Sequence, residues 1–294
     1  MEKRVVFRSG WLPWALLAPQ MLVIGVFFFW PASQALLQSV QSQDAFGTSP
    51  AQWVGLENFE RLWNDASYVR SFWTTALFSA LVAFFGISIS LVLAVFTDRI
   101  VRGAMVYKTL LILPYAVAPA VAAVLWVFMF SPSLGVVAYA LGYLGLDWNH
   151  LLNGRHAMTL IVMAAVWKQI SYNFLFFLAG LQSIPKSLVE AAAIDGAGPW
   201  RRFWSIQFPL LSPTTFFLLV INVVYAFFET FGIVDAATQG GPGAETSILV
   251  YKVYHDGFKA MDLGGSSAQS VILMVIVVTL TIVQFRFVEK KVQY

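Results

Sequence analysis

Glu190-Ala191-Ala192-Ala193-Ile194-Asp195-Gly196-Ala197-Gly198-Pro199-Trp200-Arg201-Arg202, running on to Ile206-Gln207-Phe208-Pro209, is the longest charged segment lying between two membrane-length apolar runs. Its spacing predicts two short helices joined by a sharp bend. Ser187 and Glu190 stand in the S-x-x-E relation of a capping box, and the alanines that follow favour helix. Gly196 is placed to take the left-handed conformation that closes a helix, and Pro199 suits the first turn of the next. Gly198 relieves the turn between them. A compact helix-turn-helix with a small-residue surface, held between two spans, has the form of a docking knob for a soluble partner.

The apolar runs on either side belong to a larger set. Hydrophobic residues make up 59% of the chain and charged residues 11%, against about 45–50% and about 25% in soluble domains. About 20 apolar residues are needed to cross roughly 30 Å of hydrocarbon. Six such runs are predicted, at approximately 11–37, 71–97, 107–130, 157–181, 209–231 and 268–287, with Pro19, Pro31, Pro114 and Pro119 interrupting the first and third. The fold expected is therefore all-α: a polytopic membrane protein of six transmembrane helices, with residues 1–294 forming one domain. The first run is too long for a cleaved signal and lacks a small-residue cleavage site, so it is expected to be a retained span. Trp11, Trp14, Trp30, Trp53, Trp63 and Trp73 fall near the predicted interfaces, as an aromatic belt requires.

Orientation follows from the cations in the connections. Lys3, Arg4 and Arg8, then Arg99, Arg102 and Lys108, then Lys186, Arg201 and Arg202, and finally Arg286, Lys290 and Lys291 place twelve on one side. Arg61, Arg70, Arg155, Lys252 and Lys259 place five on the other. Both termini and the Glu190 stretch are thus predicted to be cytoplasmic. The net charge of +3 is too small to argue for nucleic acid.

Much chemistry is excluded. The absence of cysteine removes disulfides, thiol catalysis and thiolate metal sites. There is no G-x-x-x-x-G-K-[ST] phosphate loop, no H-E-x-x-H and no G-x-S-x-G. His150, His156 and His255 lack metal-ligand spacing and read as exposed loop histidines. No catalytic residue, metal site or cofactor is expected in this chain.

Polar residues inside the spans are costly and point to a pathway or a buried site. Lys168 sits mid-span, and at helical spacing Gln169, Tyr172 and Asn173 share a face beside it. Asn222, Tyr225 and Glu229 form a second stripe in the fifth span. The two stripes are candidates to line a hydrated passage. The alternative is packing, in which Lys168 pairs with Glu229 and the amides bond between helices.

Glu190-Ala191-Ala192, Gly196, Ile206 and Pro209 match the pattern E-A-A-x3-G-x9-I-x-L-P, with Phe208 in place of its leucine. The chain thereby resembles bacterial ABC import permeases. Leu113-Pro114-Tyr115-Ala116-Val117-Ala118-Pro119-Ala120, Trp167-Lys168-Gln169-Ile170-Ser171-Tyr172-Asn173 and Gly240-Gly241-Pro242 look like the carbohydrate-uptake branch, most closely the A-type permease subunits of sn-glycerol-3-phosphate importers.

That resemblance implies a type I ABC importer permease fold, with a family core at approximately 71–287 and a cytoplasmic coupling element at approximately 185–209. It implies that Glu190, Ala191, Ala192, Asp195, Gly196, Ile206 and Pro209 dock a separate ATPase, which binds the ATP. It further implies a heterodimer with a second permease, two ATPase copies, a periplasmic binding protein, and a place in the bacterial inner membrane. The cargo implied is sn-glycerol 3-phosphate and related glycerophosphodiesters. The alternatives are a permease for another sugar or polyol, an ion-coupled secondary transporter, or a membrane scaffold that transports nothing.

Overall fold

A computed structural model describes residues 11–43, 50–99 and 103–288, so the predicted cytoplasmic cations Lys3, Arg4, Arg8, Arg102, Lys290 and Lys291 lie outside the described residues. Among the described residues, five helices are each long and apolar enough to cross a bilayer: α1 (Leu12–Ser39), α3 (Ala66–Asp98), α7 (Gly154–Ser183), α10 (Ser212–Glu229) and α13 (Leu263–Arg286). Between α1 and α3 lie a two-residue antiparallel pair, β1 (Gln41–Ser42) and β2 (Gln52–Trp53), and the amphipathic helix α2 (Glu57–Asn64).

The third predicted run is not a single helix. It forms α4 (Ala104–Ala116) and α5 (Pro119–Met129), which meet at 104°. Counting that pair as one broken span gives six crossings. Its cause is local. Val117 and Ala118 are extended, with ψ of 129° and 143°. Ala118 precedes Pro119, whose ring disfavours helix in the residue before it. Hydropathy counts apolar residues and is blind to the direction in which they run.

The remaining elements are short. They are α6 (Val136–Tyr143), α8 (Lys186–Ile194), α9 (residues 199–210), α11 (Phe231–Ala237) and α12 (residues 249–259). The six predicted belt tryptophans all project outward.

Helix α7 is the axis of the bundle. Residues buried along most of its length contact α3 on one side and α5, α10 and α11 on others. The α3 contact runs through small residues. Ala83, Gly86, Ser90 and Ala94 of α3 are buried, as are Ala164, Ala165 and Ser171 of α7. Close backbone approach of this kind drives association where lipid supplies no hydrophobic force between helices. At the crossing, the Ser90 hydroxyl donates to the Ile170 carbonyl at 3.1 Å.

A polar cap closes the outer end. Arg61 bonds Asp262 at 2.7 Å, and the other oxygen of Asp262 caps α13 by accepting from the Gly265 N–H at 2.9 Å. Lys252 pairs with Asp256 at 2.9 Å and with Asp65 at 3.6 Å, while the Gln269 amide donates to Asp256 at 2.7 Å. The three histidines differ among themselves. His150, in the turn ahead of α7, is only 3% exposed, correcting the expectation of an exposed loop histidine: it is buried close to the Phe130 backbone and to His156. His156 stacks on Trp148 with centroids 4.8 Å apart, and His255 is exposed. Among the described residues no cluster is arranged to hold a metal.

Candidate coupling element and membrane pathway

The Glu190 stretch forms the expected pair of helices. Gly196 has φ of +78°, and its N–H bonds to the Ala193 carbonyl at 3.1 Å while the Ala197 N–H reaches back to Ala192 at 2.9 Å. This is the paired closure of a Schellman motif, with glycine at the left-handed position. A Cβ at Gly196 would meet nothing within 4 Å, so only backbone geometry restricts the site. Helix α9 begins at Pro199 as its spacing predicts.

Two details differ from expectation. Helix α8 starts at Lys186 with Pro185 as its N-cap and no side-chain cap bond, so Ser187 lies inside the helix and the capping box does not form. Proline at φ −57° sets the entry instead. Gly198, with φ of −64°, occupies a conformation open to any residue.

Glu190, Ala191, Asp195 and Gly196 are exposed, and Ala192 is half-buried. Ile194 is 87% exposed at the tip. Ile206 and Pro209 are half-buried at the base. There Trp204 meets Trp200 edge-on at 5.6 Å and packs at a tilt on Phe208 at 4.9 Å. Phe208, the departure from the leucine of the pattern, packs against Phe203 and Trp204.

The polar residues of α7 divide into two groups. Lys168 and Tyr172 face the α4–α5 break. The Lys168 ammonium donates to the carbonyls of Tyr115, at 3.4 Å, and of Val117, and lies 5.9 Å from the Tyr115 ring centre. Tyr172 packs on Tyr115 at 5.8 Å. Broken helices leave carbonyls unpaired, and a buried cation satisfies them. Lys168 and Glu229 form no direct ion pair, and Glu229 is exposed.

Gln169 and Asn173 face α3 and α10. The amides of Asn173 and Asn222 bond reciprocally, at 3.1 and 2.8 Å, and Asn222 also donates to the Leu218 carbonyl at 2.7 Å. Both are fully buried against Gly86, where an added Cβ would stand 3.2 Å from the Asn222 oxygen. The Gln169 Cγ lies 3.9 Å from the same point. Tyr225 donates to the Ala165 carbonyl at 3.4 Å.

A family model described as binding-protein-dependent transport system inner membrane component matches residues 86–294. The chain belongs to that family. It is 60% identical over 293 residues to the sn-glycerol-3-phosphate transport system permease protein UgpA of Pectobacterium atrosepticum, covering 100% of this chain and 99% of the relative. The corresponding protein of Salmonella typhimurium is also 60% identical, with the same coverage. Among solved structures, a bacterial ABC transporter that imports the acidic polysaccharide alginate superposes with a TM-score of 0.79 at 24% identity, over 94% of this chain and 96% of that one. An alginate ABC transporter in complex with its pentasaccharide-bound periplasmic protein gives 0.81 at 23% identity, over 93% and 92%. These two matches show the fold alone. As a transport component, this permease is no enzyme, and it has the all-helical type I importer architecture.

Sequence reasoning missed the acceptors of Lys168 and the glycine opposite the asparagine pair. Pro114 and Pro119, flanking the freed carbonyls, were the signal for the first. The second had none, because Gly86 and Asn222 are brought together only by tertiary packing.

Proposed function

We propose that this permease is one of two dissimilar membrane subunits of an importer for sn-glycerol 3-phosphate and related glycerophosphodiesters. Two copies of a separate ATPase drive it, and a periplasmic binding protein loads it. The observation that carries this reading is the knob: a glycine-closed, outward-facing helix pair with Ile194 bare at its tip. Its cargo is supported by the full-length relatives and by the buried lysine at the α4–α5 break. The chain needs no cofactor of its own. Both termini lie in the cytoplasm in this reading, which the cation count supports with α4–α5 taken as one broken span.

In this reading, Glu190, Ala191, Ala192, Asp195 and Gly196 enter a cleft on the ATPase, and Ile206 and Pro209 fix the base. Closure of the ATPase pair on ATP shifts the docked knob and favours the outward-open arrangement of the spans. Only a partner that binds the two arrangements unequally can do so. Lys168, Tyr172 and Glu229 line the passage. Gln169, Asn173, Asn222 and Tyr225 hold the walls in register.

The test is co-expression with the ATPase, the second permease and the binding protein, followed by reconstitution in vesicles. ATP hydrolysis is expected to rise with sn-glycerol 3-phosphate or a glycerophosphodiester and not with maltose. Stimulation by maltose alone would overturn the cargo. Failure of an ATPase to copurify with the chain would overturn the coupling.

A further inference from the structure

At the root of the knob lies a cavity of about 410 Å³, where the end of α3 meets α7, α8 and α9. Its floor is apolar, from Val95 and Leu181, and its wall carries Asp98, Arg99, Arg202 and Gln207. None of the residues assigned to coupling or passage lines it. The two arginines come from segments about a hundred positions apart, yet face one space.

Arg99 and Arg202 both line this space. The Arg202 Nε is itself shut off from solvent, so the rest of the side chain is what meets the cavity. Among the described residues neither Arg99 nor Arg202 is in an ion pair, although Asp98 shares the wall. Arg61 at the outer end, by contrast, has its carboxylate at 2.7 Å. Guanidinium forks match phosphate oxygens in geometry as well as charge.

We propose that this cavity binds a phosphate group, held by Arg99 and Arg202 at the root of the coupling element. The volume falls within the roughly 300–1,000 Å³ of small-molecule sites and exceeds what a bare phosphate fills. The apolar floor at the ends of two spans suits the glycerol and upper chain of an anionic phospholipid. Basic pockets between spans on the cytoplasmic side are built for such headgroups. A soluble phosphate offers the same oxygens. Either one, bound here, bridges α3 to α9 and braces the knob against the spans.

The site's chemistry stands without the transport reading; only its cytoplasmic placement rests on it. A binding measurement therefore separates the two. The purified full-length chain would be titrated with phosphatidylglycerol, phosphatidylcholine and sodium phosphate, with lipid retention read by native mass spectrometry and anion binding by thermal melting. Phosphatidylglycerol is expected to be retained over phosphatidylcholine, and Arg99→Gln and Arg202→Gln each to weaken retention about fivefold. Arg201→Gln, which removes the same charge from an exposed neighbour outside the cavity, is expected to change little. Stabilisation by sodium phosphate with the same arginine dependence would also support the site and assign it to the soluble anion. Equal loss in Arg201→Gln, or no dependence on either cavity arginine for any of the three probes, would overturn the proposal. If Arg202→Gln does not fold, the exposed Arg99 carries the comparison alone.

Discussion

Gly196 and Lys168 are held by different constraints, a left-handed backbone and a pair of carbonyl acceptors, and their substitutions should fail in different ways. Gly196 is restricted only by its positive φ, so Gly196→Ala is expected to cost about 1 kcal/mol while leaving the spans intact. Gly196→Asp adds a charge at the tip as well. Transport should fall steeply in a correctly inserted protein, and normal uptake by Gly196→Asp would remove the coupling role. Lys168→Met strands two carbonyls at the α4–α5 break, an expected loss of about 1–3 kcal/mol visible as a lower melting temperature. Lys168→Gln retains a donor. If it melts like the wild type but loses uptake, the charge serves the cargo; unchanged uptake would show that the lysine serves the break alone. Gly86→Ala pushes a methyl group to 3.2 Å from the Asn222 oxygen and is expected to destabilise the bundle by about 1–3 kcal/mol, measured as unfolding in detergent. Whereas the capping box suggested by Ser187 and Glu190 does not form, the bend of the Glu190 to Pro209 stretch was legible at this scale because a left-handed glycine and a helix-starting proline are local chemistry. The Asn173–Asn222 pair was not, since two amides in different spans look the same whether they face water or each other.

Among elements, the α4–α5 pair departs most from its sequence. Residues 107–130 read as one span, and the structure turns them through 104°. The prolines were visible, but their effect depends on what receives the freed carbonyls. Without an acceptor-satisfying group such as Lys168 opposite, a continuous helix with a proline kink is the alternative the same sequence allows. Pro119→Ala restores an N–H and lifts the restriction on Ala118, so it is expected to favour a straighter, continuous helix. Disulfide trapping between cysteines placed at Ala116 and Ala120 would read the change in separation, and an unchanged separation would show that packing alone sets the bend. A similar lesson applies to α8, whose start moved to Lys186. A proline immediately upstream fixed the entry before the serine spacing had any influence.

For the whole molecule, the outer cap joins segments far apart in the chain, with Arg61 and Asp262 separated by 201 positions. No local pattern announces such a pair. Burial pushes the Asp256 carboxyl up, but hydrogen bonds from Lys252, Gln269 and His255, together with the Lys252 charge, outweigh it and hold the group below the ordinary carboxylate range. A depressed pKa in the folded state stabilises above the unfolded value and loses that contribution as pH falls through the folded one. The cap is therefore expected to hold through neutral and mildly acidic pH and to weaken only below about the 3.8 of a free aspartate. His150 behaves differently, although it loses stability in the same direction. Burial lowers its pKa, the Phe130 backbone opposes that, and His156 nearby lowers it further. Since the unfolded imidazole takes up its proton first, stability falls as pH drops below about 6.5. Melting between pH 7 and pH 5 should show a decline that His150→Phe abolishes, and an identical decline in that variant would assign it elsewhere. One further consequence concerns α7. Its last turn passes to α8 through the extended pair Ile184 and Pro185, with Ile184 buried and the φ of Pro185 fixed by its ring. Lys168 stands fifteen residues before the end of that same helix, about 22 Å at 1.5 Å per residue. Lys168 and the point where the knob attaches thus lie on one continuous helix, and the only joint between that helix and the knob is a two-residue extended link whose ring and buried isoleucine leave it little freedom to swivel.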